Sequence, residues 1–167
     1  YQEPCFHYSS NIKDIKDWTN LSGYYQTEKY FDHCKKDVYD FFTFKKHVKV
    51  NIDNKINQKK YPDPTLCTSI HVRRGDYVIK QNYHPLQGPE YYKLACNIAN
   101  NKYYVIFSDD IEWCKQSFGN HDRIVYSQEA DPFEAMYHMS LCSNHIICNS
   151  SFGWWGSWLG EMAFPDK

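Results

Sequence analysis

From residue 65 onward, apolar and polar positions fall into two kinds of block. Short apolar or β-branched runs at residues 66–72, 103–107, 123–126 and 145–148 predict strands. Between them, apolar residues recur at helical spacing. Residues 89–100 place Tyr92, Cys96 and Ala99 on one side, with Pro89 suited to a first turn. Residues 111–118 predict a helix with the acidic pair Asp109-Asp110 at its start, where carboxylates complement the helix dipole. Asp131-Pro132 opens a helix that runs to about Leu141, and Asn149-Ser150-Ser151 caps a last one through Phe152, Trp154, Trp155 and Leu159. Strands alternating with helices predict a parallel sheet with helices packed on it and right-handed crossovers between strands.

The first 64 residues have a different texture. Apolar residues Tyr1, Phe6, Tyr8, Ile12, Ile15 and Trp18 are scattered among polar ones, which predicts loops. Residues 21–25 predict a strand leading into a turn. A helix is expected to begin near Gln26 or Thr27, and Cys34, Val38, Phe41 and Phe42 continue at helical spacing. Val48, Ile52 and Ile56 stand four apart, with Lys, Asn and Asp between them as a solvated face. Pro62 and Pro64 cannot sit inside a helix and mark a boundary. The expected organisation is therefore a more helical region with a linker over 1–64 and a Rossmann-like α/β domain over 65–167.

Composition narrows the classes. A chain of 167 residues suffices for one ordinary core. Net charge is -1, so no basic field points to a nucleic-acid partner. Aromatics make up 18% of the residues, which serves either an aromatic core or a carbohydrate-stacking surface. The seven cysteines show no CxxC, and a zinc-finger pattern of paired cysteines and histidines is absent. Cys67, Cys142 and Cys148 lie in apolar runs and suit small buried hydrophobes. A reducing compartment fits best, with one or two disulfides left open. No apolar run approaches the length of a membrane span, and the chain begins with Tyr rather than Met.

Candidate chemistry gathers at three expected strand ends. His71, Arg73, Arg74 and Asp76 follow the first strand; Ser108, Asp109 and Asp110 follow the second; Asn149, Ser150 and Ser151 precede the last helix. Open α/β sheets hold ligands at the carboxyl ends of their strands. Adjacent guanidiniums repel, and a diphosphate would satisfy both with bidentate bonds. A helix N-terminus with hydroxyls is a ready anion site, and an ionised Asp accepts from the N–H groups of guanine. Plainer roles stay open at each place: Arg73 and Arg74 pairing with Asp76, Asp109 and Asp110 capping a helix, the serines capping another, and Trp154, Trp155 and Trp158 serving as core. GxGxxG and Walker A patterns are absent. Glu134 and His138 stand four apart on one helix but lack a second histidine for a metal. Arg74-Gly75-Asp76 is a bare RGD tripeptide, held here at a strand end.

His71-Val72-Arg73-Arg74-Gly75-Asp76-Tyr77-Val78 resembles the HxRRxD motif of the α-1,2-fucosyltransferases of glycosyltransferase family 11. Residues 107–114 resemble that family's second motif, residues 139–155 its third, and residues 21–31 its run into the middle helices. The resemblance implies a GT-B-type fold, with 65–167 as the GDP-sugar-binding, donor half. It implies inverting transfer of L-fucose from GDP-fucose to the 2-hydroxyl of a galactose-containing glycan, in α-1,2 linkage, with no metal or other cofactor. By motif, Arg73 would hold the β-phosphate and stabilise departing GDP. His71 and Asp109 would contact guanine. Ser150, Ser151 and the Phe152 backbone N–H would bind the diphosphate. Arg74 and Asp76 would support the loop, with Arg74 also in reach of phosphate. Asp76 is the candidate general base, disfavoured because two arginines lower its basicity. A microbial or viral relative would be cytoplasmic; an animal-type one would sit at the Golgi membrane through an anchor outside this chain. The alternatives are a transferase using another nucleotide sugar, a non-catalytic nucleotide- or carbohydrate-binding module, and, more distantly, an RGD adhesion module. The chain lacks the family's Gly-rich GGLGNQ-like stretch and ends at Pro165-Asp166-Lys167 where relatives continue into a further strand. Both features predict a piece of a longer enzyme.

Overall fold

In the computed structural model, residues 1–5 and 7–164 are described; Phe6 and the closing Pro165-Asp166-Lys167 lie outside them. In chain order the helices and strands are α1 (Lys35–Phe41), α2 (Lys46–Asn57), β1 (Cys67–Val72), α3 (Pro89–Ala99), β2 (Tyr103–Ser108), α4 (Ile111–Phe118), β3 (Ile124–Tyr126), α5 (Pro132–Leu141), β4 (Asn144–Ile146) and α6 (Ser151–Ala163). From residue 65 on, every expected strand and helix is present, with ends shifted by a few residues. The four strands form one parallel sheet in the order β3-β2-β1-β4. The expected α/β class, a Rossmann-like parallel sheet with flanking helices, is the fold found.

Alternation along the strands sorts the core into two layers. Ile70, Val72, Tyr104 and Ile106 pack with Tyr92 of α3 and Cys114 of α4. Cys67, Val105 and Phe107 pack with Met139 of α5 and the partly buried Phe152 of α6. All six residues of β1 are buried, as befits a central strand covered on both faces. Cys67, Cys142 and Cys148 are buried, as their apolar settings predict.

Two compact units divide between Thr43 and Phe44, well before the boundary expected at 64/65. The reason is α2. Its Val48 and Ile52 are buried, and its polar face bonds to α5: Asn51 Nδ2 and Lys55 Nζ donate to the Glu134 carboxylate at 2.8 and 2.9 Å. Tyr61, inside the expected linker, is buried with its ring 4.3 Å from that of His138. Pro62 and Pro64 therefore precede a strand within one unit; they do not separate two.

In the first unit, Tyr1–Thr43, the strand expected at 21–25 is reduced to one isolated bridge, Gln2 to Ser22. Positive φ angles at Gly23 and Tyr25 (153° and 49°) break the extended run. The Glu3 carboxylate accepts from the Tyr24 and Tyr25 N–H groups and the Tyr30 hydroxyl, tying the segment together. The helix expected at Thr27 begins as two 3-10 turns, Glu28–Tyr30 and Asp32–Cys34, with the Thr27 side chain accepting from the Lys29 N–H. Among the described residues, no helix is long and apolar enough to cross a membrane.

Candidate active site

The chain steps from β1 outward to β2 and β3, then returns to place β4 on the other side of β1. Open α/β sheets bind ligands in the crevice at such a reversal, outside the carboxyl ends of the strands. Here that crevice lies between the ends of β1 and β4. The β2 end adjoins it, because Val72 is in register with Ser108. The sheet order thus makes the β2, β1 and β4 ends neighbours along the edge where a parallel sheet places them.

At the β1 end the two arginines do different work. Arg73 Nη1 pairs with Asp109 Oδ2 at 2.9 Å and Nη2 with Asp76 Oδ1 at 2.8 Å. Its side chain is 38% exposed, and two pairings leave three of its five N–H donors for a ligand. Arg74 is only 17% exposed. Its Nε donates to Asp110 Oδ2 at 3.1 Å, and its guanidinium lies 4.1 Å above the Trp113 ring. These contacts tie Arg74 to the start of α4.

The acidic pair divides in the same way. Asp110 caps α4, accepting from the Trp113 N–H at 3.1 Å while holding Arg74. Asp109 braces the β1 loop: Oδ1 accepts from the Arg74 N–H at 2.9 Å and Oδ2 from Arg73. Both its oxygens have partners within the protein, so a guanine would have to share them. Gly75 belongs to this contact, since a Cβ there would collide with Asp109 Oδ2. Asp76 accepts from Arg73 and lies 3.6 Å from Lys80. The Arg73 hydrogen bond holds its carboxyl below the usual range, which makes it a weak base.

His71 points to the α6 side of β1 and is 6% exposed. Its Nδ1 lies 3.5 Å from Cys148 Sγ, and its ring centroid 5.3 Å from that of Phe152. Burial, reinforced by Arg73 and opposed by Asp109, lowers its pKa to about 4, so the ring is neutral at pH 7. Gly153 makes room for it, as a Cβ there would stand 2.6 Å from Nδ1. A glycine inside an aromatic helix signals a close approach, but only the fold shows that His71 is what Gly153 meets.

Ser150 is the N-cap of α6, in extended conformation, but its side chain makes no capping bond. The first turn of a helix lacks intrahelical partners for its N–H groups, so this end presents donors and partial positive charge. Ser150, exposed Ser151 and Phe152 line that turn. Contacts thus join Arg73 to Asp109 and His71 to Phe152, in the first turn of α6 beside Ser150 and Ser151, while Asp76 holds Arg73 and Asp110 holds Arg74. Burial keeps the Cys148 thiol protonated and unreactive. Among the described residues, no cluster of His, Cys, Asp and Glu has the makings of a metal site.

A buried polar group away from the crevice escaped the sequence reading. The Glu129 side chain is fully buried just beyond β3, bonded to the Ser127 hydroxyl, with Lys55 Nζ and His138 Nδ1 each 3.6 Å from Oε1. Burial alone would push this carboxyl up; His138, Ser127 and the Tyr61 hydroxyl hold it at about 2. Spacing drew attention to Glu134 and His138. The structure instead gives Glu134 to α2 and brings His138 to Glu129.

The family model described as "Glycosyl transferase family 11" matches residues 8–162. The chain belongs to glycosyltransferase family 11. An Escherichia coli α-1,2-colitosyltransferase is 36% identical over 91% of this chain and 55% of that protein. Human galactoside α-(1,2)-fucosyltransferase 1 is 25% identical over 90% of this chain and 46% of its own length. This family 11 chain spans about half the length of the curated relatives it matches. Among solved structures, POFUT1 with GDP-fucose gives a TM-score of 0.56 at 9% identity, covering 74% of this chain and 45% of that one. POFUT1 with GDP gives 0.59 at 12% identity, covering 86% and 50%. At such identities the likeness concerns the fold: a Rossmann-like half of a GT-B-type architecture.

Proposed function

We propose that this chain is the donor half of a glycosyltransferase that moves L-fucose from GDP-fucose to the 2-hydroxyl of a galactose-type acceptor, with inversion and in α-1,2 linkage. The observation that carries the reading is the pairing at the switch-point crevice. A half-exposed Arg73 with unused donors stands at one lip, and a helix N-terminus without a side-chain cap forms the other. Together they suit a diphosphate. Family membership supports glycosyl transfer, and the named fucosyltransferase relative supports the sugar and the linkage.

In this reading the acceptor oxygen bonds to C1 of the sugar as the bond from C1 to the β-phosphate oxygen breaks. GDP leaves carrying the electron pair, and the acceptor's proton passes to a base. Arg73 and the α6 N-terminus stabilise charge growing on the departing diphosphate, as preorganised donors that need no rearrangement in the transition state. Asp109 and Asp76 fix the Arg73 fork in place before donor arrives. Neutral His71 and Asp109 face the base. Asp76 is not assigned proton abstraction, because Arg73 depresses its basicity.

Thermal unfolding with a nucleotide panel tests the donor. GDP is expected to raise the Tm of the wild type, and Arg73→Ala to abolish the rise. A shift with another nucleoside diphosphate and none with GDP overturns the guanine assignment. A second sugar has a specific observation in its favour, the 36% identity to an α-1,2-colitosyltransferase. Incubating the longer polypeptide with GDP-fucose or GDP-colitose and a panel of galactosides, then reading the product linkage, separates the two. GDP binding without any product from either would instead leave a binding module.

A further inference from the structure

The β1–β4 ladder ends at Ile70 and Ile146, two residues before the end of β1 and at the last residue of β4. Past that point the two lips of the crevice meet inside at His71, Cys148 and Phe152. Outside, they are joined by the connection between β1 and α3. Near the start of this connection, the Tyr77 hydroxyl donates to the Asn149 carbonyl at 3.1 Å. Near its end, the Pro85 carbonyl accepts from Asn149 Nδ2 at 3.0 Å. One residue of the opposite lip thus holds both ends of the loop. The Tyr77 and His84 rings stack 4.4 Å apart at 12°, closing the loop on itself. The Arg73 guanidinium lies 5.7 Å from the centre of the Tyr77 ring.

Tyr77 therefore touches both arms of the anion site. Its ring carries the guanidinium, and its hydroxyl holds the residue just before the α6 N-cap. We infer that Tyr77 and Asn149 are positioning residues that fix the gap between Arg73 and the α6 N-terminus, and with it the preference for a diphosphate over a single phosphate. The inference rests on the nucleoside diphosphate reading above and adds a source for its selectivity. A single phosphate can be held by one arm, whatever the gap. A diphosphate gains from both arms only when their separation is already set, because a loose pair must be ordered at the moment of binding.

Two variants probe the clasp from opposite ends. Tyr77→Phe keeps the ring under Arg73 and deletes the hydroxyl. Asn149→Ala keeps the carbonyl that Tyr77 uses and deletes the bond to Pro85. Titration calorimetry with GDP, GMP and inorganic pyrophosphate is the measurement. Each variant should bind GDP and pyrophosphate about fivefold more weakly, the worth of one ordinary hydrogen bond, while GMP affinity holds. The preference for GDP over GMP therefore narrows, a change that general loosening of the fold would not produce. An unaltered GDP to GMP ratio in a folded variant overturns the inference; if Tyr77→Phe does not fold, Asn149→Ala decides. Pyrophosphate keeps this outcome separate from the identity of the base. A wild type that binds no nucleoside diphosphate and no pyrophosphate overturns both the clasp and the donor reading.

Discussion

His71 carries its imidazole to a place where charge is costly. With a folded pKa of about 4 against 6.5 in the unfolded chain, the native state resists a proton that the unfolded state accepts. Between those values the unfolded chain binds more protons, so stability falls as pH drops from 6.5 to 4. The full loss is about 3 kcal/mol. His71→Gln removes the titration. Urea midpoints at pH 7 and pH 4.5 should therefore differ less in this variant than in the wild type; equal differences would refute the buried, neutral histidine. Glu129 acts in a separate window. Its folded pKa of about 2 lies below the ordinary 4.5, so its contribution is complete above 4.5 and disappears as pH falls toward 2. Neither role was legible from sequence. His71 was visible as a strand-end histidine, but its enclosure by Cys148, Phe152 and Gly153 appears only in the fold.

At the scale of single elements, the start of α4 couples two jobs. Asp110 caps the helix through the Trp113 N–H and clamps Arg74 against the Trp113 ring. Asp110→Ala should cost about 1–2 kcal/mol for the cap alone. It should also release Arg74, seen as a change in Trp113 fluorescence, and lower GDP affinity less than Arg73→Ala does. Unchanged stability would remove the capping role. Strands and helices after residue 65 were legible because their signals are local: Pro89 and Pro132 in first turns, Asp131 as a cap, β-branched runs in strands. Sorting Asp109 from Asp110 was not, because both precede the helix and only the path of the β1 loop decides which of them meets Arg73. The strand at 21–25 failed for a backbone reason, the positive φ angles of Gly23 and Tyr25, which apolar patterning does not report.

For the molecule as a whole, the difference between the boundary expected at 64/65 and the division of the compact units at 43/44 is instructive. Proline and lysine between residues 57 and 64 suggested a linker, yet Val48, Ile52 and Tyr61 are buried in the unit that begins at Phe44. A chain starting at Phe44 should unfold cooperatively. One starting at Thr65 loses three buried apolar side chains, each worth about 1.5–3 kcal/mol, and leaves Glu129 and Glu134 without Lys55. It should melt without a sharp transition. Cooperative melting of the shorter chain would restore the boundary at 64/65. The overall class was legible from strand-helix alternation. The strand order was not, since nothing local tells β4 to pair with β1 instead of β3.

That return of the chain to β1 bears on when the crevice comes into being. Ser69 and His145, side by side in the sheet and joined through their side chains, are 76 positions apart in sequence. Long-range pairings form slowly, because closing the intervening chain costs entropy before any contact offsets it. The β1–β2 hand of the site can assemble early, from one local crossover. The hand at α6 arrives only with the last strand. A nucleotide that needs both hands would recognise the finished sheet and little before it. If the proposed nucleotide site is right, nucleotide added during refolding should leave the folding rate nearly unchanged and slow unfolding, a lock on the completed fold and not a template for it.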